Sequence, residues 1–155
     1  MSGRIDARLA ELGLILPTPA VAVANYLPFV VSGPLLFVSG QLPFADGTVA
    51  VTGRLGEGVS IEDGQRAARL CAINLLAQAR IAAGGDLDRV TRLVRLGGFV
   101  ASTPDFTGQP QVLNGASDLF VAVLGEAGRH ARAAVGVAAL PLGAAVEIEA
   151  VFELD

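Results

Sequence analysis

His130-Ala-Arg-Ala-Ala-Val-Gly-Val-Ala-Ala-Leu-Pro-Leu-Gly-Ala-Ala-Val-Glu-Ile-Glu-Ala-Val-Phe-Glu-Leu154 reads as two strands joined by a turn. Val135 and Val137 alternate with the small residues Ala134 and Gly136. Beyond Pro141 to Ala144 the alternation resumes, with Val146, Ile148, Ala150 and Phe152 set against Glu147, Glu149 and Glu153. One face is apolar and the other carries charge. Arg132 stands on the second kind of face, and its neighbours Ala134 and Gly136 leave room beside the guanidinium for a group the size of a carboxylate. If the chain turns back as an antiparallel hairpin, Leu140 faces about Ala145 and Arg132 faces about Glu153. Glu147 then lies six positions from that partner (153 minus 147), on the order of 20 Å along the strand. Within one flat hairpin Arg132 and Glu147 cannot meet, so a shared site needs a bulge, a strong twist or a neighbouring chain.

Upstream, the helices announce themselves by their ends. Ser60 caps a long helix whose first turn carries Glu62 and Asp63, and Gly84-Gly85 stops it. Ala67, Leu70, Cys71, Leu75 and Ile81 form its apolar stripe, and Glu62, Arg66 and Arg69 are spaced for surface ion pairs. Cys71 is thereby a core cysteine. Gln109-Pro110 opens a second helix, in which Val112, Leu113, Ala116, Leu119, Phe120, Val123 and Leu124 keep a helical period. Asn114 and Asp118 fall on its other side, where the plain reading of Asn114 is a solvated amide.

The strands are shorter signals. Leu35 to Gln41 reads as a buried strand ending in Ser39, Gly40 and Gln41, which can offer backbone groups to a ligand. Asp46-Gly47 is a hairpin-type turn, with Val49 to Thr52 as the return strand. Val90 to Ala101 is apolar enough for a strand covered on both faces, and Gly97-Gly98 implies a bulge or a close backbone approach. Ser2 to Leu14 forms a short amphipathic helix, followed by an extended Leu16-Pro-Thr-Pro19 connector. In the apolar stretch from Ala22 to Pro28, the lone Tyr26 reads as a core residue with a satisfied hydroxyl. The resulting order is a helical arm over residues 1–20, then strand, strand, helix, strand, helix, strand, strand over residues 21–155. This is an α+β architecture with two helices on one face of a mixed sheet.

Composition narrows the function. At 155 residues, 17% charged and 52% hydrophobic, the chain is one domain with more apolar surface than its few charges cover, which points to self-association. No apolar run reaches the roughly 18 residues of a membrane span, and no basic-then-apolar leader opens the sequence, so a cytoplasmic protein is expected. A net charge of -4 without a basic cluster gives no footprint for nucleic acid. All 11 cationic side chains are Arg, which excludes lysine Schiff-base chemistry, a lysine-anchored pyridoxal cofactor and a P-loop lysine. One Cys and one His make no zinc site and no disulfide within the chain. Of the residues read so far, Arg132 fits a carboxylate-binding fork or a structural ion pair. Glu147 fits a water-activating base or an exposed strand carboxylate.

From about Tyr26 to Glu153 the chain resembles the Rid/YjgF family, also called the L-PSP endoribonuclease-like family. Tyr26, the Phe37 to Pro43 run Phe-Val-Ser-Gly-Gln-Leu-Pro, Asn114, Arg132, Leu140-Pro141 and Val146-Glu-Ile-Glu149 carry the resemblance in order. It implies a chorismate-mutase-like fold, a homotrimer whose sheets form a central barrel, and clefts between subunits. It also implies hydrolysis of 2-imino and 2-enamino acids to 2-keto acids and ammonia, with no metal or organic cofactor. In that reading Arg132 binds the substrate carboxylate, Glu147 and backbone near Gly40 position the water, and Tyr26, Ser39 and Asn114 shape the cleft. Two features depart from the family pattern: Ala134 stands where many members carry Cys, and the arm over residues 1–20 resembles a longer branch. A trimer that only binds or senses 2-keto acids is the second reading of the same arginine. An endoribonuclease is the third.

Overall fold

The computed structural model describes residues 3–19 and 24–155. Ser2 and Ala22, and the boundary between arm and domain near residue 20, lie outside them. Helix α1 (Arg4–Glu11) is followed by β1 (Phe29–Ser32), β2 (Leu35–Gln41) and the small hairpin β3 (Phe44–Ala45) and β4 (Thr48–Val49). A parallel two-residue pair follows, β5 (Arg54–Leu55) with β6 (Gly58–Val59). Then come α2 (Ile61–Ala82), β7 (Val90–Ala101), α3 (Gln109–Leu124), β8 (Ala131–Val137) and β9 (Val146–Leu154). The main sheet runs β1-β2-β9-β7-β8, antiparallel except for the parallel β7–β8 pair.

Local chemistry explains the helix bounds. The Ser60 hydroxyl accepts from the Asp63 amide at 3.1 Å, and Gly85 N–H closes the other end on the Arg80 carbonyl at 2.8 Å. Pro110 sits in the first turn of α3. Helix α1 is capped from outside its own segment: the Arg4 and Ile5 amides donate to the two Asp88 oxygens at 2.7 and 2.8 Å. Those same amides, Ile5 first, hold the Asp88 carboxyl below its usual range. Ile5 and Leu9 join the core that α2 and α3 form with the sheet around Leu75, Leu96, Phe120 and Phe152, and Arg80 pairs with Asp6 at 2.5 Å.

The even residues of β9, Val146 to Phe152, are buried against the helices. Glu147, Glu149, Val151 and Glu153 therefore point to the other face, which also carries half-exposed Val30, Phe37 and Val135 and the Arg95–Glu149 pair at 3.5 Å. No helix of the described chain covers that face.

Five expectations change. The closing segment is not a hairpin, because β7 lies between β8 and β9. Its end is clamped there, with Ala101 N–H on the Ala145 carbonyl and Ser102 N–H on that of Val137. Arg132 accordingly aligns with Leu96 rather than Glu153. In β8 the small residues Ala134 and Gly136 face the helices and Val135 faces outward, so the room beside Arg132 is taken by α3 and by Ser102 and Gln109 below it. Of the two readings of Gly97-Gly98, the close approach holds and the bulge does not. The β7 register shifts fall earlier, before Arg95, and a Cβ on Gly98 would overlap the Leu113 side chain of α3. Ile81 is half-exposed rather than core, and Arg66 pairs with Asp63 rather than Glu62. Tyr26 is exposed, not buried.

Candidate functional site

The first cluster forms where β2 departs from regular pairing. Val38 pairs with Ala150 and Gln41 with Ile148, so Ser39 and Gly40 together oppose the single residue Glu149. That is a bulge, the device that re-aims backbone beside a binding site. Ser39 is fixed by donating its amide to the Pro28 carbonyl at 2.9 Å and its hydroxyl to the Leu27 carbonyl at 2.7 Å, which draws the Tyr26 turn over the strand end. The resulting cleft of about 210 Å³ is lined by Tyr26, Pro28, Ser39, Gly40, Gln41, Leu42, Phe44, Gln78, Pro141 and Glu147. Glu147 lies so close to the Gly40 backbone that any Cβ at position 40 would overlap its carboxylate. Partial burial, and then the nearby Glu149 charge, raise the Glu147 carboxyl above its ordinary value.

The second cluster lies on the opposite face of the sheet. Arg132 leaves β8 toward α3. There its Nη1 donates to Asn114 Oδ1 at 2.9 Å and Ser117 Oγ at 3.1 Å, and its Nη2 donates to the Pro110 carbonyl at 3.3 Å. All three acceptors are neutral. Among the described residues no carboxylate comes within ion-pair distance of Arg132, whose charge is therefore uncompensated. Of the five guanidinium N–H groups, Nε–H and one on Nη2 remain without a protein acceptor among these residues, two donors of the kind that grip a carboxylate. Asn114 is thus the anchor of the arginine rather than a solvated amide.

The six sequence-predicted residues divide between these clusters. Tyr26, Ser39, Gly40 and Glu147 share the cleft, and Asn114 and Arg132 share the cradle. Arg132 aligns with Leu96 and Glu147 with Phe99 on the intervening β7. That is roughly 10 Å along the strands and two strand spacings, about 10 Å, across, with the side chains on opposite faces. One chain does not unite them.

The sequence reading missed three residues. Ser117 lies one helical turn from Asn114, so spacing from the anchor was its signal. His130 contacts Ser117 from the residue just before β8. Gln78 is 3% exposed in the apolar wall of α2, lines the cleft, and makes no side-chain hydrogen bond among the described residues. A lone amide within Leu75-Leu-Ala-Gln-Ala79 was the available clue. Cys71 is buried, its thiol pushed well up by burial and secondarily by the Glu147 charge, as suits an inert core cysteine.

The chain thus combines a mixed sheet bearing helices on one face with an arginine cradle under α3 and a carboxylate cleft where β2 departs from β9. Residues 6–154 match the profile described as "YjgF/chorismate_mutase-like, putative endoribonuclease", and the chain belongs to this Rid/YjgF family with its chorismate-mutase-like α+β fold. It is 54% identical to Protein TCP17 of Trypanosoma cruzi over 155 residues, covering 99% of this chain and 96% of that one. The crystal structure of Atu1372 from Agrobacterium tumefaciens, a protein of unknown function, superposes with a TM-score of 0.92 at 56% identity, covering 97% of this chain and 92% of that one. The structure of E. coli TdcF with bound serine does so with a TM-score of 0.66 at 25% identity, covering 89% and 94%.

Proposed function

We propose that the protein hydrolyses 2-imino and 2-enamino acids to 2-keto acids and ammonia, in a site that one copy's Arg132 cradle and another copy's Glu147 cleft complete together. The observation that carries this reading is the uncompensated guanidinium of Arg132, held by Asn114, Ser117 and the Pro110 carbonyl with donors to spare. Such a fork suits a substrate carboxylate. The uncovered sheet face with Val30, Phe37 and Val135 supports a homotrimer packed through that face, which we place in the cytoplasm.

In this mechanism an enamine first takes a proton from solvent at carbon, which leaves the imine in its nitrogen-protonated, iminium form. Arg132 holds the carboxylate, and Glu147 removes a proton from a water as its oxygen bonds to the imine carbon. The product is a tetrahedral carbinolamine. Protonated Glu147 then gives its proton to the carbinolamine nitrogen, the C–N bond breaks with its electron pair on ammonia, and Glu147 takes the hydroxyl proton as the carbonyl forms, that proton finally leaving with ammonia as ammonium. A carboxyl raised above its ordinary value serves such a two-way transfer better than an unshifted one. Tyr26 and Ser39 shape the cleft and Asn114 the cradle of the composite site, and neither metal nor organic cofactor takes part.

Ammonia release from freshly generated imino acids of several side-chain sizes is the test, and no acceleration over buffer would reject the reading. A trimer that only binds 2-keto or amino acids is the second reading, favoured by the serine bound to TdcF. Saturable keto-acid binding without turnover would establish it. Ribonuclease activity ranks third, because the chain carries a net charge of -4.

A further inference from the structure

We propose that His130 is a positioning residue, acting through Ser117 to fix the Arg132 guanidinium in the orientation that receives a carboxylate. The inference rests on the reading of Arg132 above. Three contacts carry it. His130 Nδ1 lies 2.6 Å from the Gly128 carbonyl oxygen, His130 Nε2 lies 2.9 Å from Ser117 Oγ, and Ser117 Oγ lies 3.1 Å from Arg132 Nη1.

The chemistry of each group dictates the direction of every bond. A guanidinium only donates, so Ser117 accepts from Arg132. A carbonyl only accepts, so His130 Nδ1 carries a proton. In the neutral ring Nε2 is then the acceptor, and the single Ser117 proton goes to it. The chain therefore runs one way, from Arg132 through Ser117 and His130 to Gly128. The relay is this hydrogen-bond chain through the Nδ1-protonated ring.

The surroundings hold the ring in place. Phe120 meets it edge-on, with centroids 6.4 Å apart and an interplanar angle of 74°. Gly128 brings the α3–β8 turn onto the end of α3, where a Cβ would overlap the Phe120 carbonyl, and this closeness sets the carbonyl beneath Nδ1. Without His130 the Ser117 hydroxyl is a free rotor, and its lone pair no longer points steadily at Nη1. Asn114 then remains as the side-chain anchor of the fork.

The chain has one histidine, so long-range proton–nitrogen NMR of labelled protein reports this ring alone. The relay predicts the Nδ1-protonated neutral tautomer, with the Nε2 signal moving on addition of pyruvate in the wild type but not in Ser117→Ala. An Nε2-protonated ring, or an Nε2 signal that does not change when Arg132→Ala removes the guanidinium, overturns it. In kinetics, Ser117→Ala and His130→Ala raise KM about fivefold, the worth of roughly one hydrogen bond, with kcat kept. Ser117→Thr and His130→Gln, which keep an acceptor in place, recover most of the loss. A fall in kcat at unchanged KM, or no rescue in folded protein, contradicts the relay. If wild-type protein neither binds pyruvate nor turns over imines, the proposed function falls instead. The tautomer and its response to Arg132→Ala then still decide the relay.

Discussion

The Glu147 cleft and the Arg132 cradle are built by opposite means. The cleft depends on irregular backbone: the Ser39-Gly40 bulge, the Tyr26 turn tied to Ser39, and the Glu147 carboxylate lying in the space a side chain at Gly40 would take. The cradle depends on regular structure, with Asn114 and Ser117 one turn apart on α3 facing an edge strand. Their electrostatics differ as well. Glu147 is destabilised as an anion, whereas Arg132 keeps its charge among neutral acceptors. A base without a substrate anchor and an anchor without a base are each chemically incomplete. Arg132 and Glu147 do not meet within one chain, and the site we propose therefore draws on a second copy.

The sharpest way to separate the two halves is Glu147→Gln, which removes the base and leaves the fork. We expect kcat to fall by about a hundredfold or more, with keto-acid binding retained, as read by ammonia release and titration calorimetry. Arg132→Ala should do the reverse. It should lower kcat/KM about thirtyfold, or about 2 kcal/mol, and Arg132→Lys should stay clearly impaired because an ammonium lacks the planar fork.

Acidity probes the cleft alone. Because the Glu147 carboxyl is raised, the acid limb of kcat/KM should lie above the ordinary glutamate value of about 4.3 and vanish in Glu147→Gln. The same shift has a stability consequence of definite sign. The native state binds this proton more tightly than the unfolded chain, so the Glu147 contribution to stability falls as pH rises through the raised native value. Glu147→Gln should therefore melt higher than wild type at neutral pH.

The smallest effect lies away from both halves. Asp88→Ala removes the cap of α1 and should cost about 1 kcal/mol in thermal or urea unfolding, with activity kept. The Asp88 carboxyl is lowered, so its contribution is complete above the unfolded value of about 3.9 and is lost as pH falls through the native one.

What the sequence revealed follows the same division. The ends of α2 and α3 were readable because Ser60, Gly84-Gly85 and Pro110 act on residues within one or two turns. Arg132, Glu147 and Asn114 could be named, but their grouping could not. Pro141 to Ala144 looks like a hairpin turn, and nothing nearby in sequence shows that Ala101 and Ser102 will wedge between its flanking strands. The β2 bulge was equally hidden, since it appears only against the β9 register. Four-residue β1 is a short apolar run without alternation, and its pairing with β2 supplies the identity its own sequence lacks. Gln78 and Ser117 are ordinary helix residues until their partners from other elements are in place.

The most direct test of a shared site is complementation between Arg132→Ala and Glu147→Gln chains, co-expressed with different tags and purified as mixed oligomers. In a cyclic trimer of either composition, one interface in three pairs an intact Arg132 with an intact Glu147, so the mixed species should recover about a third of wild-type turnover. Mixed trimers as inactive as the two parents would contradict a site built from two copies of this chain.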